Sequence, residues 1–301
     1  MYPKDLFLGL DLYDIFLCIG IIACIFVFDR LATRHPLRGK LQTLALYNGI
    51  ISIVCGYGSA VLFQAVYNIA ETGKFQVSKN TGATFYGGLI GGAAVFLIVY
   101  FAVGYFYFKD KYHIRSFFSL ANCAAPAIVI AHSLGRIGCL FAGCCHGKAT
   151  AEWYGIKMYG TYGYLKYIPV QLYEAVFLFA LFVFLYIRES KKYSYNLPIY
   201  MTAYGTWRYA IEFLRGDKRG GIFTEAMSPS QFTAVLMVIG GVALFFFERY
   251  YTKKHKSEIE ADALAIFEAR SKKQNASVAT TEAESESEKE AIAEVTEERE
   301  S

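Results

Sequence analysis

Seven apolar runs separated by short polar segments follow one another at roughly 12–29, 43–65, 85–108, 117–137, 169–187, 197–215 and 229–247. Each is near the ~20 residues a helix needs to cross ~30 Å of hydrocarbon. Helices are favoured because a spanning segment must satisfy its own backbone hydrogen bonds. The short alternating strands of a membrane barrel are not seen. The pattern predicts an all-α polytopic membrane protein with seven transmembrane helices. The first run continues into Asp29-Arg30 with no obvious signal-peptidase site, so it reads as a retained anchor. A composition of 55% hydrophobic and 17% aromatic residues agrees, being unusual for a soluble chain of 301 residues.

Loop charge predicts orientation. The segment after the first run holds Arg30, Arg34, Arg38 and Lys40, and that after the third holds Lys109, Lys111 and Arg115. Arg188, Lys191 and Lys192 follow the fifth, and Arg249, Lys253, Lys254 and Lys256 follow the seventh. These should be cytoplasmic, which puts the N-terminus outside and the C-terminus inside. The contrast is modest, because the opposing loops carry Lys74, Lys79, Lys148, Lys157, Lys166, Arg215, Lys218 and Arg219. Residues 252–301 are net −5 against +9 for the rest of the chain. The expected division is a membrane domain over 1–250 and a charged cytoplasmic tail over 251–301. The tail should be helical near 257–270, with Ile259, Leu264, Ile266 and Phe267 as its apolar positions, and disordered beyond about 271.

Two arginines stand within or at the end of spans. A cation in hydrocarbon costs at least a few kcal/mol, so it usually faces a cavity, a partner or an anionic ligand. Tyr204, Arg208, Glu212 and Arg215 are spaced to share one helical face. Arg208 and Glu212 can pair at i,i+4, which keeps the guanidinium charged and fixes its fork for phosphate. A purely structural ion pair is the competing explanation, though it does not account as well for Arg136 and Arg215. Arg136 ends the fourth span in Gly135-Arg136-Ile137-Gly138, with His132 one turn earlier on the same face. His132 is either a proton acceptor or a hydrogen-bonded packing residue. Pro126 is a candidate kink in that span.

In the third span, Phe85-Tyr86-Gly87-Gly88-Leu89-Ile90-Gly91-Gly92 suits close helix packing, or approach of a lipid head group with Tyr86 supplying a hydroxyl. Cys18, Cys24 and Cys55 are small apolar residues inside spans. Cys139, Cys144, Cys145 and His146 cluster, but their spacing matches no common zinc pattern, so no metal is expected. A vicinal disulfide or a reactive thiol is the alternative on an oxidising face. The segment from Gly143 to Ile168, with Trp153 and Tyr154, should lie on the outer interface as a lid or an anchor.

Five strings in order resemble the prolipoprotein diacylglyceryl transferase family. Tyr13-Asp14-Ile15-Phe16-Leu17-Cys18-Ile19-Gly20 is similar to its Y-G-L-M-Y-x-x-G. Phe85-Tyr86-Gly87-Gly88-Leu89 resembles F-H-G-G-L, and Gly135-Arg136-Ile137-Gly138 begins its G-R-I-G-N-F-x-N-G-E. Pro169-Val170-Gln171-Leu172-Tyr173-Glu174 is similar to H-P-S-Q-L-Y-E, and Tyr204 through Arg215 to Y-G-x-x-R-x-x-x-E-x-x-R. The resemblance implies a seven-helix enzyme of the bacterial inner membrane. It would move the diacylglyceryl group of phosphatidylglycerol to the lipobox cysteine thiol of a preprolipoprotein, forming a thioether and releasing glycerol 1-phosphate. No cofactor, metal or nucleic acid is implied. Arg136, Arg208, His132 and Tyr86 are then the candidate catalytic residues. Tyr13, Gly87, Gly88, Gly135, Gln171, Glu174, Tyr204, Glu212 and Arg215 are the candidate substrate-binding residues.

The chain departs from the family at polar positions. Tyr86 stands for the third-span histidine, Cys139 and Ala142 for the signature asparagines, Cys144 for the glutamate, and Ile168 for the histidine before the proline. Three readings follow: a transferase whose base has moved to His132 or His146, the same fold acting on another lipid or acceptor, or a non-catalytic lipid-binding scaffold.

Overall fold

The computed structural model describes residues 10–72, 84–160, 163–216, 227–272 and 274–275. The chain is mostly helical: α1 (Leu12–Arg34), α2 (Gly39–Thr72), α3 (Phe85–Tyr107), the single turn α4 (Tyr112–Arg115), α5 (Phe117–Ala142), α6 (Val170–Ser190), α7 (Asn196–Ile211) and α8 (Pro229–Lys254). Among the described residues, six of these helices are long and apolar enough to cross a membrane. The one predicted span that is not is the sixth, where α7 has only 16 residues and passes into a 3-10 turn at Glu212–Leu214. The expected single helical face from Tyr204 to Arg215 therefore stops short, and Arg215 is extended. The cause is competition for backbone groups: Lys148 N–H donates to the Leu214 carbonyl at 3.0 Å, and Arg215 bridges Gly147.

Expected exposure is inverted, as a lipid environment requires. Ile22, Phe26, Val54 and Phe106 are each at least 66% exposed on the helix surfaces, while the buried side chains include charged ones. Without a hydrophobic force between helices in lipid, small residues at contacts let backbones approach. A Cβ at Gly20 would stand 3.3 Å from the Ala131 carbonyl, which fixes α1 against α5. Gly56, Gly88 and Gly92 do the same between α2 and α3, and Gly205 and Gly241 between α7 and α8. α5 runs unbroken through the buried Pro126. Its middle packs Val129 against Leu178, Leu181 and Leu185 of α6 and Tyr204 of α7.

A hairpin not foreseen in the sequence follows α5. β1 (Ile156–Gly160) pairs antiparallel with β2 (Gly163–Tyr167), Ile156 opposite Tyr167. Met158 and Tyr167 are fully buried while Leu165 and Tyr164 are exposed, in five-residue strands too short to register in a span-length hydropathy window. Residues 147–150 extend the hairpin toward Arg215: Gly147 N–H donates to the Ile168 carbonyl at 2.9 Å and Thr150 N–H to that of Lys166 at 2.9 Å. Gly147 admits no side chain there, since a Cβ would lie 2.8 Å from the Leu214 carbonyl.

The consecutive helices α5 to α8 alternate in direction, so their ends form two layers. In the layer opposite the hairpin, Glu189 and Glu248 are buried and matched. Glu189 meets His35 at 2.8 Å and the Cys123 thiol at 3.3 Å, and accepts from Asn196. Glu248 accepts from Asn122 Nδ2 at 2.8 Å and from the Tyr195 N–H at 3.2 Å. Asn122 Oδ1 takes the Asn196 and Leu197 N–H groups at 2.8 and 3.2 Å. α7 has no side-chain cap of its own, so α5 supplies it.

The second compact unit is Lys256–Ser301. Residues 256–272 are helical, with Leu264 and Phe267 exposed. The expectation of disorder beyond about 271 falls mainly on 276–301, outside the described residues, as do Lys74, Lys79, Lys218 and Arg219.

Asn122→Leu removes the cap and one partner of Glu248 together, leaving buried polar groups unmet. The expected cost is about 2–4 kcal/mol. In detergent this should read as a thermal unfolding midpoint several degrees below wild type; an unchanged midpoint would show that the bridge carries no stability.

Candidate active site

The layer on the hairpin side is built from the C-terminal half of α5, the start of α6, the end of α7 and the start of α8. Glu174 on α6 is fully buried, and its Oε1 receives Arg136 Nη2 of α5 at 3.0 Å and the Tyr204 hydroxyl of α7 at 2.7 Å. Arg136 Nη2 also reaches the Tyr204 oxygen at 3.5 Å. Three helices thus meet on one carboxylate oxygen. A buried guanidinium is tolerable only with such a partner. Arg136 Nε has no hydrogen-bond partner among the described residues.

One turn along α7, Arg208 makes the i,i+4 pair expected from spacing, Nη2 to Glu212 Oε2 at 2.8 Å. The same nitrogen donates to Ser230 Oγ at 2.9 Å, while its Nη1 has no hydrogen-bond partner among the described residues. Glu212 also accepts from Ser228 Oγ at 3.0 Å and lies 3.9 Å from Arg215 Nε. Ser228 caps α8 through a reciprocal box with Gln231, and Pro229 begins the helix. The cap therefore also positions a carboxylate that orients Arg208.

His132 sits against this layer. Its Nδ1 shares a hydrogen bond with the Tyr200 hydroxyl at 3.2 Å, and its ring stands edge-on to Tyr204 at 4.6 Å. Nε2 has no hydrogen-bond partner among the described residues. Gly135, between His132 and Arg136, borders open space: a Cβ there meets nothing within 4 Å. Tyr13 of α1 packs on Gly138. Gln171 is buried and donates through Nε2 to the Cys144 carbonyl, which ties the loop after α5 to α6. The Cys145 thiol is hydrogen-bonded with Cys139, Cys144 and the Arg215 guanidinium.

The structure thus brings together Arg136, Glu174, Tyr204, Arg208, Glu212, Arg215 and His132, and borders them with Tyr13, Gly135 and Gln171. Gly87 and Gly88 face Phe63, Ser59 and Ala60 of α2, where a Cβ would clash or crowd. The side chain of Tyr86 lies outside the described ones. His146 is drawn into the hairpin, its Nδ1 2.9 Å from the Gly147 carbonyl and its ring 4.1 Å from that of Tyr167.

Ser228, Ser230 and Tyr200 were not singled out in the sequence. The Ser-Pro-Ser-Gln capping signature and the four-residue step from Tyr200 to Tyr204 were the signals available.

Residues 5–247 match the family profile described as prolipoprotein diacylglyceryl transferase. A phosphatidylglycerol–prolipoprotein diacylglyceryl transferase of Clostridium tetani is 29% identical over 246 residues, covering 79% of this chain and 93% of the relative. One from Clostridium perfringens is 28% identical over 256 residues, covering 82% and 94%. One from Staphylococcus aureus is 25% identical over 251 residues, covering 79% and 84%. A match across almost the whole helical region, carried by chains of nearly the same extent, identifies this protein as a member of the prolipoprotein diacylglyceryl transferase family.

Proposed function

We propose that this chain transfers the diacylglyceryl group of phosphatidylglycerol to the lipobox cysteine thiol of a preprolipoprotein; its relatives are named phosphatidylglycerol–prolipoprotein diacylglyceryl transferases. The observation that carries the reading is the charge of the buried layer. Three guanidiniums, Arg136, Arg208 and Arg215, are set against two carboxylates, Glu174 and Glu212. The excess is one positive charge, which matches the single negative charge of a phosphodiester.

The glutamates keep the guanidiniums charged and fixed in a water-poor site. Arg136 Nε and Arg208 Nη1 are the donors left for phosphate oxygens. As the glyceryl C–O bond breaks, its electron pair moves to the phosphate, whose charge rises. Fixed donors aimed there are worth more than in water and need no reorganisation. The acceptor thiol attacks the same carbon as a thiolate, so a proton must be taken up. His132 is the acceptor assigned here, since its Nε2 has no hydrogen-bond partner among the described residues and its Nδ1 is anchored on Tyr200.

The chain is a multi-pass bacterial membrane protein, and on this reading it resides in the inner membrane. α7 and the 3-10 turn after it together rise about 30 Å, enough for a seventh crossing. The end of the bundle opposite the hairpin gathers the basic segments, as in the pairs Arg38–Asp110 at 2.7 Å and Arg34–Ser190 at 3.4 Å. That end is cytoplasmic on this reading, the N-terminus and the hairpin are outside, 1–250 is the transferase domain and 251–301 the cytoplasmic tail. The second reading, the same fold acting on another acceptor or lipid, is favoured by one observation. The cysteines that stand for family asparagine and glutamate lie beside Tyr13 and Arg136.

Transfer from radiolabelled phosphatidylglycerol to a lipobox peptide by the purified protein tests the proposal. Arg136→Ala and Arg208→Ala should each lower the rate by about 10²–10³-fold. Arg136→Lys, which keeps the charge but loses the fork, should recover only part of it. Full activity in a folded Arg208→Ala variant would remove the phosphate role.

His132→Ala should lower transfer at least ~10²-fold, the usual worth of a positioned proton acceptor, while the unfolding midpoint holds near wild type. Unaffected turnover would take His132 out of the mechanism.

A further inference from the structure

Where the family signature carries asparagine and glutamate, this chain places thiols, and the fold draws them together. The Sγ atoms of Cys139, Cys144 and Cys145 all lie within 4.8 Å of one another, and the three side chains are hydrogen-bonded among themselves. Linear spacing shows the cysteines close in the chain but matches no common zinc pattern. α5 ends at Ala142, and Gly143 then turns left-handed at φ 73° with Cys145 left-handed again at φ 59°. Two left-handed residues within three reverse the chain sharply, so thiols from the last turn of the helix and from the loop converge. A non-glycine residue held left-handed is uncommon. Gln171, buried on α6, pins the turn through the Cys144 carbonyl.

We propose that Cys139, Cys144 and Cys145 form a trithiolate site for a thiophilic divalent cation of the zinc class, and that its fourth position takes the acceptor thiol. Zinc–sulfur bonds of about 2.3 Å place tetrahedral sulfurs about 3.8 Å apart, within reach of the observed cluster by small rotations. Arg215 is hydrogen-bonded to Cys145, and Arg136 is in electrostatic contact with Cys139. Three protein ligands with one open position is the arrangement of catalytic rather than structural zinc. The exposed Cys144 leaves the cluster accessible, and Tyr13 lines it on the α1 side.

This inference rests on the transferase reading. A thiol bound to zinc is held as a thiolate at neutral pH, which is the form that attacks carbon. In the step proposed, the metal-held sulfur forms the C–S bond and the glyceryl C–O bond breaks. The electron pair departs with the phosphate held by Arg136 and Arg208. The thiol proton goes to His132, which shares α5 with Cys139. Sulfur keeps its oxidation state throughout, and no oxidant or reductant is required. The metal would thereby supply the acceptor activation for which Tyr86, in place of histidine, is poorly suited.

The test uses the full chain, purified reduced and metal-free in detergent, titrated with Co(II). Expected are one equivalent bound, an intense near-ultraviolet thiolate-to-cobalt band and the visible bands of four-coordination. Cys144→Ser and Cys145→Ser should each weaken binding by more than about 100-fold while the unfolding midpoint is retained. Cys55→Ser, an exposed thiol in α2, should change nothing. A lipobox peptide should shift the visible bands, and the same peptide with serine for cysteine should not. A band that is absent, or that survives both serine variants, would overturn the site. A band unmoved by the thiol peptide would overturn the fourth-ligand role. Full transfer by chelated protein would sink the metal and leave the transferase standing. Thiol-dependent cobalt binding without any lipid transfer would keep the metal and remove the transferase.

Discussion

The membrane bundle hangs on the carboxylate of Glu174. Its Oε1 gathers Arg136 from α5 and Tyr204 from α7 while the side chain stays fully buried on α6. Removing any member would leave an uncompensated charge or dipole in low dielectric, a cost of several kcal/mol. The pair therefore fixes the relative rotation of three helices. It also leaves Arg136 Nε unengaged within the described protein, beside a glycine that borders open space.

A second polar layer at the other end of the bundle has the same ingredients but a different character. Glu189 and Glu248 are surrounded by His35, Cys123, Asn122 and Asn196, and their bonds close on backbone N–H groups at the start of α7. That arrangement offers no excess of positive charge and serves as a knot. Between the two layers the packing is apolar, through Val129, Leu178, Leu181 and Leu185. In lipid, polar contacts at both ends and close glycine contacts along the shafts do what a hydrophobic core does in water.

In the loop after α5, Gly143 ends the helix left-handed and Gln171 fastens the turn to α6. The residues carried by that turn are now thiols beside two arginines. The hairpin continues from it and holds Arg215 extended against Gly147, so the third cation is placed by the cap rather than by its own helix.

The sequence alone determined the helical membrane class, since long apolar runs have few alternatives in a bilayer. It also determined the Arg208–Glu212 pair, because an i,i+4 relation is local to one helix. The string resemblances pointed to the family and to Glu174 and Gln171 as site residues. Only the tertiary structure decided what those residues touch. The partner of Arg136 lies on a different helix, 38 positions away, and no periodicity reports it. Gly87 and Gly88, equally readable as a lipid contact or a packing surface, lie against side chains of α2 that the sequence does not pair with them. Arg215 left the helical face because a strand segment claimed the Leu214 carbonyl. The three thiols were visible as a cluster along the chain, but the convergence of their sulfurs depends on two left-handed turns and a pin from α6. Local pattern is written along the chain; the pairing of buried charges is settled by which helices meet.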